Sequence, residues 1–150
     1  MNQELRKDTE AIASGAIAAV SPEAAVRRVL TGKRFSGKLY LVCVGKAAWK
    51  MAQVAVSCLE QPIGKGIVVT KYDHVEQPLP GIACYEAGHP VPDENSFQAT
   101  QAVLDMTADL SPEDTVLFLL SGGGSALFEK PLVPLAELQD ITRQLLACGA

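Results

Sequence analysis

Thr115-Val116-Leu117-Phe118-Leu119-Leu120-Ser121-Gly122-Gly123-Gly124-Ser125 decides the fold. An uncharged apolar run enters three glycines held between two serines. A short apolar run closed by a turn reads as a strand. In open α/β sheets, ligands bind beyond the carboxyl ends of the strands. Three glycines let the backbone approach a ligand and take dihedrals closed to other residues. Their N–H groups are expected near a helix N-terminus, where the dipole favours an anion. Ser121 and Ser125 add hydroxyls. The turn therefore reads as an anion loop, with phosphate as the anion. A flexible turn that merely needs small residues is the plain alternative, but it needs one or two glycines, not three after an apolar strand.

Working outward, strands alternate with helices. Leu39 to Val44 is a continuous apolar run suited to a strand buried on both faces of a parallel sheet. Ala48, Met51, Ala52, Ala55 and Leu59 then fall at helical spacing. Ile67 to Thr70 reads as a second strand and Ile82 to Ala87 as a weaker third. Asp93 to Leu110 reads as a helix, with Ala99, Ala102, Val103, Met106 and Leu110 on one face. Pro134 to Ala147 is a last amphipathic helix with Gly149 as its C-cap. At the front, Gln3 to Val20 reads as a helix. Ser21-Pro22-Glu23 restarts a second one that runs to about Leu30. The expected class is α/β: a Rossmann-like, three-layer domain with a mainly parallel sheet. Gln77 to Pro92 is a long irregular stretch, and such stretches in compact domains are often functional.

The chain has 150 residues, enough for one domain with a real core. Its 13 Lys and Arg against 17 Asp and Glu give a net charge of −4. No basic run and few aromatics argue against nucleic acid. The apolar runs are far too short to cross a bilayer. Met1 to Glu10 is polar and mixed in charge, without the apolar region of a secretory signal. A cytoplasmic protein is expected. Cys43, Cys58, Cys84 and Cys148 form no CxxC pair and read as small buried hydrophobes.

Familiar nucleotide templates fail. A Walker loop needs GxxxxGK followed by Ser or Thr, but Gly45-Lys46 is followed by Ala47. A dinucleotide fingerprint needs GxGxxG. Gly122 and Gly124 match it, and Leu127 stands where the third glycine belongs. Lys46 ends a strand and opens a helix, where a cation opposes the dipole. It is better explained if it faces an anion, the alternative being a solvated surface lysine. Lys71 also follows a strand; it can point into the crevice as well, but a surface role is the stronger reading. Gly88-His89-Pro90-Val91-Pro92-Asp93-Glu94-Asn95-Ser96 is a stiff loop in which Asp93 can cap the next helix. His89 is either a donor to a phosphate or substrate oxygen or part of a rigid helix entry. His74 has no assigned role, and Asp73 is at most a carboxylate near a metal.

Three segments in this order resemble the class II glycerate kinases: Val44-Gly45-Lys46-Ala47-Ala48, Gly88 to Ser96, and Leu120-Ser121-Gly122-Gly123-Gly124-Ser125-Ala126-Leu127. The resemblance covers nearly the whole chain. It implies ATP-dependent phosphorylation of D-glycerate to 2-phosphoglycerate with Mg²⁺ or another divalent metal, whose ligands the sequence leaves unknown. Carried over residue by residue, Lys46 would be the active-site lysine. Gly45, His89, Ser121, Gly122, Gly123, Gly124 and Ser125 would bind substrate or nucleotide. Some relatives carry the label hydroxypyruvate reductase, linked to tartrate degradation, but the missing dinucleotide fingerprint argues against that chemistry. A non-catalytic phosphate- or nucleotide-binding module of the same fold is the other alternative. Family members are longer and have a second, C-terminal domain across the catalytic cleft. Residues 1–150 are thus expected to be the incomplete N-terminal domain, inactive alone and, with sheet edges open, prone to form homo-oligomers.

Overall fold

A computed structural model describes residues 2–149. Its centre is a four-stranded parallel sheet in the order β3-β2-β1-β4, built from β1 (Leu39–Val44), β2 (Ile63–Lys71), β3 (Ile82–Ala87) and β4 (Thr115–Leu120). The expected α/β class holds.

The two faces follow from the period of two along each strand. Leu39, Leu41 and Cys43 of β1 and Val68 of β2 point to one face. There they pack with α2 (Pro22–Leu30) and α3 (Ala48–Cys58) through Val26, Leu30, Trp49, Ala52 and Ala55. Val42, Val44, Ile67 and Val69 point to the other face. They meet Ala99 and Val103 of α4 (Glu94–Met106) and Leu127. Three layers result. Ser21 starts α2 as foreseen: its side chain accepts the Ala24 N–H and Pro22 takes the first helical position.

Two boundaries shift by four residues from the sequence reading. β2 begins at Ile63, four residues early, so Gly64-Lys65-Gly66 lies inside it. Gly66 belongs there because the Ile82 side chain fills the space beside it, where a Cβ would lie 2.8 Å from Ile82 Cγ1. α4 stops at Met106, not Leu110. Thr107 ends it by turning its hydroxyl back to the Val103 and Leu104 carbonyls. A single-turn helix, α5 (Gly124–Leu127), follows β4, and α6 (Leu135–Cys148) closes on Gly149 in the left-handed region.

The most apolar strand, β4, lies at the sheet edge with Val116 37%, Phe118 45% and Leu120 66% exposed. One expectation about burial, that of the cysteines, is corrected. Among the cysteines only Cys43 is fully buried; Cys58 and Cys84 are half-buried, and Cys148 is exposed on the last turn of α6. All four are free thiols. α1 (Gln3–Ala19) buries none of its residues, and Leu5, Ile12 and Ile17 stand in solvent. No described helix is long and apolar enough to cross a membrane.

Candidate functional site

The carboxyl ends of β1 and β4 are adjacent, and each opens into glycine. Gly45 follows β1 at φ 115°. A Cβ there would sit 2.3 Å from Ser121 Oγ and 2.5 Å from Ser121 O, so the two strand exits touch because residue 45 has no side chain. Backbone bonds then sew them together: Ser121 N–H to Val44 O at 2.9 Å, and Lys46 N–H to Gly122 O at 2.9 Å. The Gly45 N–H is held by Val69 O. Ser121 Oγ accepts the Ala47 N–H at 3.0 Å. Ala47 is the N-cap of α3 and offers no side-chain cap of its own, so Ser121 supplies one from a distant part of the chain.

Gly123 is the meeting point. It has φ 88°, which favours glycine. A Cβ placed on it would lie 2.7 Å from His89 Nε2 and 3.1 Å from Lys46 Cε. Three sequence motifs thus converge on one spot. The N–H groups of Gly123, Gly124 and Ser125 donate to no described protein oxygen. They remain free for an anion. α5 is a single turn, so its dipole adds little to the local potential beside these N–H groups and the nearby cations.

His89 is held by a network the sequence did not reveal. Asp93 caps α4, as foreseen, and Ser96 completes a capping box with it. Its other oxygen accepts the Tyr72 hydroxyl at 2.6 Å. Asn95 Nδ2 donates to Tyr72 Oη at 2.9 Å and to Glu86 O at 3.2 Å. The loop from Gly88 to Asp93, with its cis His89–Pro90 bond, is therefore tied to the end of β2. Burial pushes the Asp93 carboxyl up, but hydrogen bonds from Tyr72, the Gly88 N–H and Ser96 outweigh it and leave its pKa low. The Tyr72 hydroxyl is shifted up, chiefly by its bond to Asp93.

Burial, then the charges of Lys46 and Lys71, hold the His89 pKa below its ordinary value. His89 is accordingly neutral near pH 7, with cations around it. Lys71, half-buried at the end of β2, is near enough to His89 for its charge to be felt there. Its signal in the sequence was its position, the last residue of β2, one strand over from Lys46. Lys46 is exposed and has no carboxylate within 4.0 Å among the described residues.

No group of three His, Cys, Asp or Glu that could hold a metal occurs among the described residues. Asp73 belongs to no such group. Two wider grooves, of about 470 Å³ between α2 and β4 and about 390 Å³ at the amino end of the sheet, include none of Lys46, His89 or Gly123.

A family model described as a domain of unknown function (DUF4147) matches residues 8–150. The chain is 50% identical to the D-glycerate 2-kinase of Thermotoga maritima, over 99% of this chain and 36% of that protein. It is 40% identical to the glycerate 2-kinase of Pyrococcus horikoshii, over 81% of this chain and 28% of that one. The crystal structure of the Thermotoga maritima glycerate kinase matches with a TM-score of 0.89 at 49% identity, covering 99% of this chain and 36% of that one. The chain spans about a third of the length of the curated relatives it matches.

Proposed function

We propose a function on one premise, that this chain belongs to the DUF4147 family: it is the phosphate-facing part of an ATP-dependent D-glycerate 2-kinase. The observation that carries the reading is the meeting of Lys46, His89 and Gly123 at one point beyond the strand ends, beside three free N–H groups. Phosphoryl transfer asks a protein mainly for positioning and charge neutralisation. In the reaction, O2 of D-glycerate bonds to the γ-phosphorus of ATP while the bond to the bridging oxygen breaks. ADP keeps the bonding pair, and the O2 proton passes to solvent.

In this reading the N–H groups of Gly123, Gly124 and Ser125 hold phosphate oxygens of the nucleotide. The Lys46 ammonium faces the transferring group. Neutral His89 donates its remaining N–H to a phosphate or substrate oxygen, and Lys71 adds positive potential. Gly45 and Ser121 keep the two turns in register. No group of three His, Cys, Asp or Glu that could hold a metal occurs among the described residues, and a divalent ion accompanying ATP would be held chiefly by the phosphates and water.

A second domain, C-terminal to this one, completes the cleft, and residues 1–150 alone bind ligand without turnover. The enzyme works in the cytoplasm, where ATP is supplied. The exposed apolar residues of β4, α1 and α6 support self-association of the isolated chain.

Calorimetric titration of the chain with ATP–Mg²⁺, D-glycerate and fructose 6-phosphate tests this. Binding of the first two and not of the third is expected. Binding of fructose 6-phosphate in place of D-glycerate would move the protein to the class of sugar-phosphate modules, and NADH binding would favour a reductase.

A further inference from the structure

β3 is an edge strand with β2 as its one neighbour. The loop that carries His89 leaves the end of β3, on the open side of the sheet. Yet His89 Nε2 lies 2.7 Å from the place a Gly123 Cβ would take, and Gly123 follows β4, the opposite edge. The loop therefore reaches over the ends of β2 and β1. Such a reach needs an anchor on the way.

Strand register supplies one. Lys71, the last residue of β2, lies opposite Ala87, the last of β3. One step further, Tyr72 and Gly88 leave the two strands side by side. The Tyr72 hydroxyl donates to Asp93 Oδ2 at 2.6 Å and accepts from Asn95 Nδ2 at 2.9 Å. The first distance is that of an O–H bond to a charged oxygen. The lowered pKa of Asp93 and the raised pKa of Tyr72 keep both groups in that form at neutral pH. Tyr72 is 46% exposed. Water can satisfy a hydroxyl at that depth, so burial does not demand these two bonds.

The tie continues into Gly88, the residue before His89. Asp93 Oδ2, the oxygen that accepts from Tyr72, lies 3.1 Å from the place a Gly88 Cβ would take, and Val91 O lies 2.6 Å from it. The loop is folded so closely on itself that Gly88 and Asp93 move together, with His89 between them. From α6, Gln139 Nε2 donates to Pro92 O at 2.9 Å. The loop is thus held from β2 and from α6. A side chain fixed in advance spares a ligand the ordering cost it would otherwise meet on binding.

We propose that Tyr72 is a positioning residue of the anion site: through Asp93 it holds the His89 loop so that Nε2 faces the Gly123 turn. Tyr72 touches no ligand itself. Its part in phosphoryl transfer rests on the kinase reading above; its hold on His89 does not. Without the hydroxyl, Asp93 still caps α4 and Gln139 still holds Pro92, but the tie to β2 is gone. His89 then samples positions away from Gly123, and an arriving anion has to order it.

Tyr72→Phe removes one oxygen and keeps the ring. Inorganic phosphate is the probe, read by calorimetry and by the His89 imidazole NMR signals. Loss of one hydrogen bond to a charged group, in a loop that keeps its other ties, should weaken phosphate binding about fivefold. The His89 signals should move or broaden. His89→Gln separates this role from a merely structural one. That variant should bind phosphate more weakly, with Lys46 and the free N–H groups keeping the binding measurable, and adding Tyr72→Phe to it should cost no further affinity. Asn95→Ala, which removes a donor to the same hydroxyl and to Glu86 O, is the second variant should Tyr72→Phe not fold. It should show the same dependence on His89 with a smaller loss. Unchanged phosphate affinity together with unchanged His89 signals would overturn the proposal. So would an equal loss with and without His89. If phosphate binds and neither Tyr72→Phe nor Asn95→Ala affects it or His89, the positioning role fails and the kinase reading stands. If the unaltered chain binds neither phosphate nor ATP, the kinase reading fails, and the His89 signals decide the positioning role: movement in Tyr72→Phe supports it and none overturns it.

Discussion

β1 and β4 are two apolar six-residue strands that lie side by side in register, from Leu39 opposite Thr115 to Val44 opposite Leu120. Their surroundings are opposite. β1 is covered on both faces, with Leu41, Val42, Cys43 and Val44 at 0% exposure. β4 has a neighbour on one side only, and every second side chain reaches solvent. Hydropathy fixes that a segment is a strand. Its place in the sheet depends on partners far away in sequence. Both strands nonetheless end at the same candidate site, one giving Gly45 and Lys46, the other Ser121 to Ser125. The buried strand anchors the crevice, and the edge strand carries the more open half.

The largest predicted effect breaks that contrast directly. Val42→Asp puts an unpaired charge in the core and should cost more than about 4 kcal/mol, enough to unfold much of the domain. Phe118→Asp, in the adjacent position on β4, should cost about 2 kcal/mol, since its side chain is 45% exposed and loses mainly its edge-to-face contact with Phe128. Urea denaturation followed by circular dichroism compares the two. Equal losses would mean that β4 is covered as fully as β1.

Next is Gly123→Ala. The left-handed backbone alone costs about 1–2 kcal/mol, and the new Cβ would displace His89 and Lys46. Stability should fall by that amount while phosphate binding is lost, read by thermal melting and calorimetry. Retained binding would separate the turn from the ligand.

Ser121→Ala is smaller. It removes the acceptor for the Ala47 N–H and should cost about 1 kcal/mol, like the loss of an N-cap. It tests whether the two strand exits support each other. An unchanged melting temperature would show that they do not.

Much of the site was legible because its parts are local. Glycines, serines and Lys46 stand within a few residues of their strands, and Asp93 stands where a helix cap is expected. Tyr72, Glu86 and Asn95 were not legible. Their roles come from contacts between β2, β3 and α4, with Tyr72 and Asp93 21 residues apart, and nothing in their local pattern marks them. The anchoring of the His74 and Val75 N–H groups by Glu86 was hidden for the same reason. The edge position of β4 was hidden too, because strand order is set by crossovers and not by the strand itself.

The weakest effect is electrostatic. His89 titrates below its unfolded value of about 6.5. The unfolded chain therefore binds the proton more readily. The penalty on the folded state is absent well above pH 6.5, grows as pH falls through that value, and is complete below the folded pKa. An imidazole NMR titration should place the His89 midpoint below 6.5, and Lys46→Gln should raise it. A midpoint that ignores Lys46 would mean the two do not share a crevice.

The central claim is that Lys46, His89 and the Gly123 turn form the phosphate-facing wall of a glycerate 2-kinase. The most direct measurement replaces the matching third of the Thermotoga maritima D-glycerate 2-kinase with residues 1–150 of this chain and assays ADP release with ATP–Mg²⁺. D-Glycerate-dependent turnover that yields 2-phosphoglycerate and falls at least a hundredfold with Lys46→Ala is the predicted result. A well-folded chimera with no turnover, or one that Lys46→Ala leaves unchanged, would contradict it.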